Sequence, residues 1–416
     1  MKKYIITVIV GVLCSICQAQ ESNGVQRYAE DSVPACAGKA ETVRSICAKQ
    51  HDVEWYECQA RNWRKVVEEK PYDQWAWRNL FLSTYYADLF SNAFGEKQDE
   101  SETADVIRKM EERLPDSFVL NLCKARFCLT TDEAAARGEN IPRAVELMPA
   151  DAYVEDINHL ACRLWLVDPK SPRVSELFCK VYKGREYPAR IMKYNWNMLQ
   201  SMEPGAIYFA NGDNALVPMR ILQDALGIRK DVTIIPLSFL LSDEYRAVLS
   251  ESLHIKPFER GYEEYAQYGE KWDRHYLADM AMHVIRESKR PAFFFADVLA
   301  HVNMNGDSLY NEGLLLKYSD KQYDNFAVAM RNVKSVYHLD YLTEPDFEYD
   351  SWETSTPLDL NNVTLLANLI GKFRRKGDAQ QAERLYGILD ACIKRSNAAT
   401  ETKAMMENYL KAEAEK

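Results

Sequence analysis

The chain has 416 residues, 47% of them hydrophobic, and a formal net charge of −10. That length suffices for two or three domains with cores of their own. The acidic balance excludes a nucleic-acid binder, which would present a basic face, and excludes docking on anionic lipid.

The chain opens with Lys2 and Lys3, then an apolar run over residues 5–13, then Cys17-Gln18-Ala19. A basic start, a short apolar core and small residues at the cleavage positions predict a secretory signal, removed after Ala19. Losing two lysines takes the net charge from −10 to −12. Leu13 before Cys14 and Ile16 before Cys17 are too large for a lipid-modified cysteine, so acylation is not expected. No later apolar run approaches the roughly 20 residues that span a bilayer. The expectation is a mature chain in the periplasm or secreted, with no membrane insertion.

Eight cysteines remain after the signal: Cys36, Cys47, Cys58, Cys123, Cys128, Cys162, Cys179 and Cys392. An even number in an exported chain permits disulfides, with Cys36 to Cys47 or Cys58 the first candidates. Buried free thiols in helix packing explain the same residues equally well. The mature chain has no CxxC and no zinc-ligand spacing, and no metal or other cofactor is expected.

Residues 20–50 are polar and weakly patterned, with a short helix expected near 41–49. From Val53 to Trp165 the periodicity is helical, broken at Pro71-Tyr72-Asp73, Leu114-Pro115-Asp116 and Met148-Pro149-Ala150-Asp151. Helices over 55–69, 103–113 and 141–147 run into these corners. Helix pairs turning at a Pro-Asp corner at about 34-residue intervals mark tetratricopeptide (TPR)-like repeats. Trp77, Leu80 and Tyr85 fit the large positions of that pattern, while Phe81 stands where glycine is usual. The tryptophans of this region, Trp55, Trp63, Trp75 and Trp77, suit either stacking on a peptide or glycan in a repeat groove, or the core.

The middle of the chain reads as α/β. An apolar strand over 206–210 leads into the turn Asn211-Gly212-Asp213-Asn214, whose Asn-Gly pair tolerates positive φ. Leu216, Met219, Ile221, Leu222, Ala225 and Leu226 recur at helical spacing, and Gly227 stops the helix. A second strand follows over 231–235, so the unit is βαβ and its strands are expected to be parallel. A helix over 262–288, a third strand over 291–296 and a fourth over 314–318 come next. Residues 344–357 are acidic, aromatic and proline-punctuated, as a linker would be. Leu366, Leu369, Phe373, Gly377-Asp378, Ala382, Tyr386 and Leu389 then fit a TPR-like helix pair, capped by a charged helix over 401–415. The expected architecture is a small parallel-sheet, Rossmann-like α/β domain (186–343) between TPR-like helices at 20–185 and 361–416, with a linker at 344–360.

Several short stretches carry a family likeness in the right order. They are the run from Gly205 through Asn214, Leu222-Gln223, Gly227-Ile228-Arg229-Lys230-Asp231-Val232, the run from Arg290 through Ala296, Glu312-Gly313-Leu314, and the helix pair at 365–389. From about Tyr187 to Cys392 the chain resembles the soluble C-terminal region of bacterial multi-pass membrane proteins related to protein O-mannosyltransferases. Two features depart from that family: Ala215 replaces the usual further Asp, and the membrane-embedded half that would transfer the sugar is absent. The resemblance therefore implies an accessory fold and not transferase activity.

In a βαβ unit, ligands sit at the carboxyl ends of the strands. Asn211, Asp213 and Asn214 occupy that edge, and Asp297 and His301 follow the third strand toward it. Two amides and two carboxylates with a histidine suit a sugar hydroxyl, a phosphate or, with Asn303, Asn305 and Asp307, a divalent cation. The bland alternative is that Asp213 or Asn214 caps the helix that Pro218 joins in its first turn. His275 and His283, two turns apart and roughly 80° around a helix, cannot share a metal. No nucleophile elbow and no catalytic pair stands out. The residues point to an exported envelope protein that binds a protein or an extended peptide through helical repeats, without catalysis. The competing expectation is a carbohydrate-binding or carbohydrate-active domain centred on Asp213.

Overall fold

The structure is a computed structural model that describes residues 38–46, 49–91, 101–127, 134–296, 298–304, 306–344, 355–396 and 398–415. The expected signal, its cleavage site and most of the expected linker lie outside the described residues. The chain divides into two compact units, one ending at Glu186 and the other running on from Tyr187. The described residues are mostly helical, with one small mixed sheet of five strands. No helix among them is long and apolar enough to cross a membrane.

The first unit is built from helix hairpins. Helices α1 (Val53–Glu69) and α2 (Gln74–Phe90) pack together across the Pro71 corner. The Asp73 carboxylate accepts from the Trp75 and Ala76 amides and starts α2, as an N-cap does. Helices α3 (Glu102–Arg113) and α4 (Phe118–Phe127) turn at Pro115, where the Ser117 hydroxyl accepts from Leu120 N. Helices α5 (Ala134–Leu147), α6 (Val154–Val167) and α7 (Pro172–Lys183) complete the unit, with α6 and α7 paired. α2 is buried along most of its length, from Ala76 to Ala87. Arg78 and Asn79 are each only 1% exposed within that run.

The second unit opens with α8 (Ala189–Ser201), β1 (Ile207–Ala210), α9 (Asp213–Leu226) and β2 (Thr233–Pro236). β1 and β2 are parallel, with Ile207 opposite Thr233. A 3₁₀ turn, α10 (Asp243–Leu253), a 3₁₀ segment kinked at Gly269 and α11 (Trp272–Ser288) carry the chain to β3 (Ala292–Phe294). β3 lies parallel to β1 on its other side. Every residue of β1 is fully buried, so the strand is covered on both faces, and Phe209 stacks on Phe294 at 4.9 Å.

The sheet is mixed rather than wholly parallel. After the short helix α12 (Val298–His301), β4 (Leu309–Asn311) and β5 (Leu316–Tyr318) form a hairpin, and β5 runs antiparallel to β3. The order is β2-β1-β3-β5-β4. A short connection cannot make a crossover, so β4 and β5 must run in opposite senses. Their turn needs Gly313: its φ is +116°, and a Cβ there would meet the Tyr337 hydroxyl at 2.5 Å. β2 forms one border and ends at Pro236, which has no N–H. At the other border the Asn325 amide donates to the Asn311 carbonyl at 2.6 Å.

After α13 (Asn325–Ser335), α14 (Ser355–Leu366) begins inside the stretch read as linker. Helices α15 (Asn368–Arg375) and α16 (Ala379–Arg395) pair across Gly377-Asp378, where Asp378 caps α16, and α17 (Thr400–Glu415) packs on both. Arg190 joins α8 to this block. It donates twice to Asp359, at 2.9 and 2.6 Å, and once to the Tyr341 carbonyl at 2.7 Å.

Candidate functional site

The strand-end turn has the expected backbone and a different cap. Gly212, at φ 89°, is the N-cap of α9, and no side chain caps the helix there. Asp213 is the first helical residue and is exposed, while Asn211 and Asn214 are half-buried. Capping by Asp213 or Asn214 is therefore corrected: the helix starts one residue earlier, on the glycine whose φ the turn demands. Pro218 is likewise the sixth residue of α9, past the first turn. Having no N–H, it leaves the Asn214 carbonyl without its partner four residues on. The fully buried Asn195 side chain donates to that carbonyl at 2.8 Å and to Ile191 O at 2.9 Å.

The other expected residues of this edge are only partly described. Asp297 and Asn305 lie outside the described residues, and of His301 only its place in α12 is described. Among the described residues no group of His, Cys, Asp and Glu could hold a metal ion. His275 stacks on Tyr268 and meets the Asn303 amide at 3.2 Å, whereas His283 bonds the Lys256 carbonyl at 2.7 Å, so the two histidines serve separate contacts. A cavity of about 510 Å³ lies at the opposite end of the sheet, lined by Arg286, Arg290, Tyr318 and Asp320 among others. Arg290 spends its guanidinium on the carbonyls of Gly205, Ala206 and Asp231, which fixes the strand starts.

The richest constellation is in the helical unit, on α1, α2 and α6. Gln59, Asn62 and Trp63 fall at i, i+3 and i+4 on α1 and so share a face. Arg78 and Asn79 come from α2, and Glu155 from the first turn of α6. Together they hold the chain's own residues 39–45 by the backbone. Asn62 Nδ2 donates to Lys39 O at 3.0 Å. Glu41 N donates to Gln59 Oε1, and Trp63 Nε1 donates to Glu41 O, both at 2.8 Å. Val43 N donates to Asn79 Oδ1 at 2.8 Å, and Arg78 donates to Val43 O at 2.7 Å. Ser45 N donates to Glu155 Oε2 at 3.1 Å.

These bonds fall on residues 39, 41, 43 and 45. In an extended chain, alternate residues turn their N–H and C=O to the same edge. Side chains of three helices thus read one edge of the segment, as a neighbouring strand would. Two side chains of the segment add contacts. Val43 is fully buried, and Arg44 donates to Glu155 Oε2 at 2.9 Å. Lys39, Glu41, Thr42 and Arg44 are otherwise exposed.

Electrostatics fix the receiving side. Arg78, buried beside the Tyr153 ring, forks onto Asp156 at 2.8 and 3.1 Å and also pairs with Glu155. Burial alone would lift the Glu155 carboxyl, but the guanidiniums of Arg78 and Arg44 hold it below the ordinary carboxylate value. The six backbone bonds, at about 1 kcal/mol each, and about 2 kcal/mol for Val43 oppose backbone ordering of about 1–2 kcal/mol per residue.

Of these residues only Trp63 stood out in the sequence, and it contributes its indole N–H rather than its ring face. Trp77 is core, and Trp55 stacks on His51 at 3.8 Å. Arg78 and Asn79 were legible in principle. They interrupt an apolar helix, and buried polar groups require partners. Cys58, one turn before Asn62, is disulfide-bonded. Cys123, Cys162, Cys179 and Cys392 form no disulfide, so its partner lies outside the described residues.

No family model matches this chain, and no curated protein and no solved structure matches it significantly.

Proposed function

We propose that this is an exported binding or scaffold protein of the cell envelope that recognises extended peptide through its TPR-like helical unit, without catalysis. The observation that carries this is the ladder of side chains from α1, α2 and α6 that bonds alternate residues of segment 39–45. A surface that reads backbone on one edge suits a partner in extended conformation, as in strand addition, with specificity left to the few enclosed side chains. The Cys58 disulfide and the signal-like start favour an oxidising compartment. The likeness to the extracytoplasmic region of O-mannosyltransferase-related proteins remains part of this proposal, and its stretches fall on β1 and the start of α9, on the approach to β2, on β3, on the β4–β5 turn and on α15–α16. The second unit, Rossmann-like in its βαβ core, is read as the accessory domain of that likeness.

The competing proposal is a carbohydrate site around Asn211, Asp213, Asn214, Asp297 and His301. One experiment separates the two: the mature protein is screened against an extended-peptide library and a glycan array. Peptide hits lost in Asn79→Ala and kept in Asp213→Ala are the expected result. Glycan hits lost only in Asp213→Ala, with no peptide bound, would overturn it.

A further inference from the structure

We propose that residues 39–45 are a built-in occupant of the groove, and that its ligand in trans is an extended peptide carrying a branched apolar residue followed by arginine. The inference rests on the binding function proposed above and names the ligand's chemistry and the site's state. The groove-side residues Gln59, Asn62, Arg78, Asn79 and Glu155 are 0 to 6% exposed while the segment is seated. With the segment gone, Gln59 Oε1, Asn79 Oδ1 and an Arg78 N–H would each lose a backbone partner that another extended chain can supply. Such a groove favours being filled. What fills it is weakly specified, because most of its bonds go to N–H and C=O groups that every residue but proline carries.

Among the described contacts, two positions of the occupant are read by side chain. Val43 is enclosed, and Arg44 reaches Glu155, which already takes Arg78 and the Ser45 amide. A β-branched residue suits the first position because its side chain is stiff and its backbone prefers extension. The second suits a cation, since Arg44 Nε meets Glu155 Oε2 at 2.9 Å. One enclosed side chain anchors the tethered segment, so a soluble peptide of the same pattern competes for the groove and must displace the segment to enter.

The test uses the full mature chain and a fluorescent peptide with the sequence of residues 38–46. Val43→Asp in the chain removes the tethered anchor. The peptide is expected to bind this variant at least tenfold more tightly than the unmodified chain, and Asn79→Ala added to it should reverse the gain. A peptide that itself carries Val43→Asp should not bind. Equal affinity for both chains, or binding to neither while Val43→Asp keeps its circular dichroism and melting, would overturn the proposal.

Should Val43→Asp lose helical content, hydrogen exchange in the unmodified chain decides. The amides of Glu41, Val43 and Ser45 are expected to exchange at least tenfold faster than the interior of α1. Exchange of these amides only at the rate of α1 would make the segment a fixed part of the core and overturn the proposal. Library peptides that bind regardless of Asn79 and Val43 would leave a binding protein and place its site elsewhere.

Discussion

Glu186 closes the helical unit with a carboxyl that burial, and then the neighbouring charge of Glu155, push up to about 7. The folded chain therefore holds this proton more tightly than the unfolded chain, whose value is near 4.5. Its contribution is fully present below about pH 4.5 and is lost as pH rises through about 7. Glu186→Gln should flatten that part of the stability profile and melt higher than the native chain above about pH 7. Urea titrations across this window check it, and an unchanged slope would mean that Glu186 does not titrate with folding. At the same scale, Arg78 is shared between Glu155 and Asp156, and it helps hold the Glu155 carboxyl below the ordinary carboxylate value. Residues of this kind were hard to assign from sequence. A carboxylate in a helix's first turn looks like an ordinary dipole partner until the arginine that faces it, from another helix, is known.

The elements themselves were mostly legible, because apolar periodicity and proline or glycine punctuation act over short distances. α1, α3, α16 and α17 start and stop within a few residues of where corners and caps place them. The parallel β1–β2 pair follows from a strand, a helix and a second strand in sequence. What failed was the part decided by distant partners. β4 has three residues, too few to show alternation, and Leu314 and Leu315 are buried in the turn rather than in the strand their composition suggested. Pro218 read as an N-terminal signal, yet it lies deeper in α9, where Asn195 from α8 takes the carbonyl it leaves open. Asn195→Leu should therefore destabilise the second unit by about 1–3 kcal/mol, since it strands an enclosed carbonyl. Denaturant unfolding measures this, and a loss below a few tenths would show the α9 ladder needs no help at Pro218.

Taken as a whole chain, the first unit contains the buried thiol Cys123 and the second Cys392, and burial pushes both thiols up. Each is a reporter of its own unit, silent to alkylation until that unit opens. Reducing the Cys58 disulfide should cost the first unit about 2–4 kcal/mol. Pulsed alkylation against urea should then show Cys123 reacting at lower urea after reduction, with Cys392 unmoved. A joint shift would mean that the two cores unfold as one. The placement of the backbone-reading groove on helices gains meaning from how the sheet ends. A sheet usually recruits a foreign chain by letting it dock as one more strand, and the same exposed borders seed fibrils. Here the β2 border stops at a proline, and the β4 border is three residues long with one carbonyl already taken by Asn325. Neither border offers a long free row for templated growth, so, on the binding function proposed above, an extended partner would be taken by the helices rather than by the sheet.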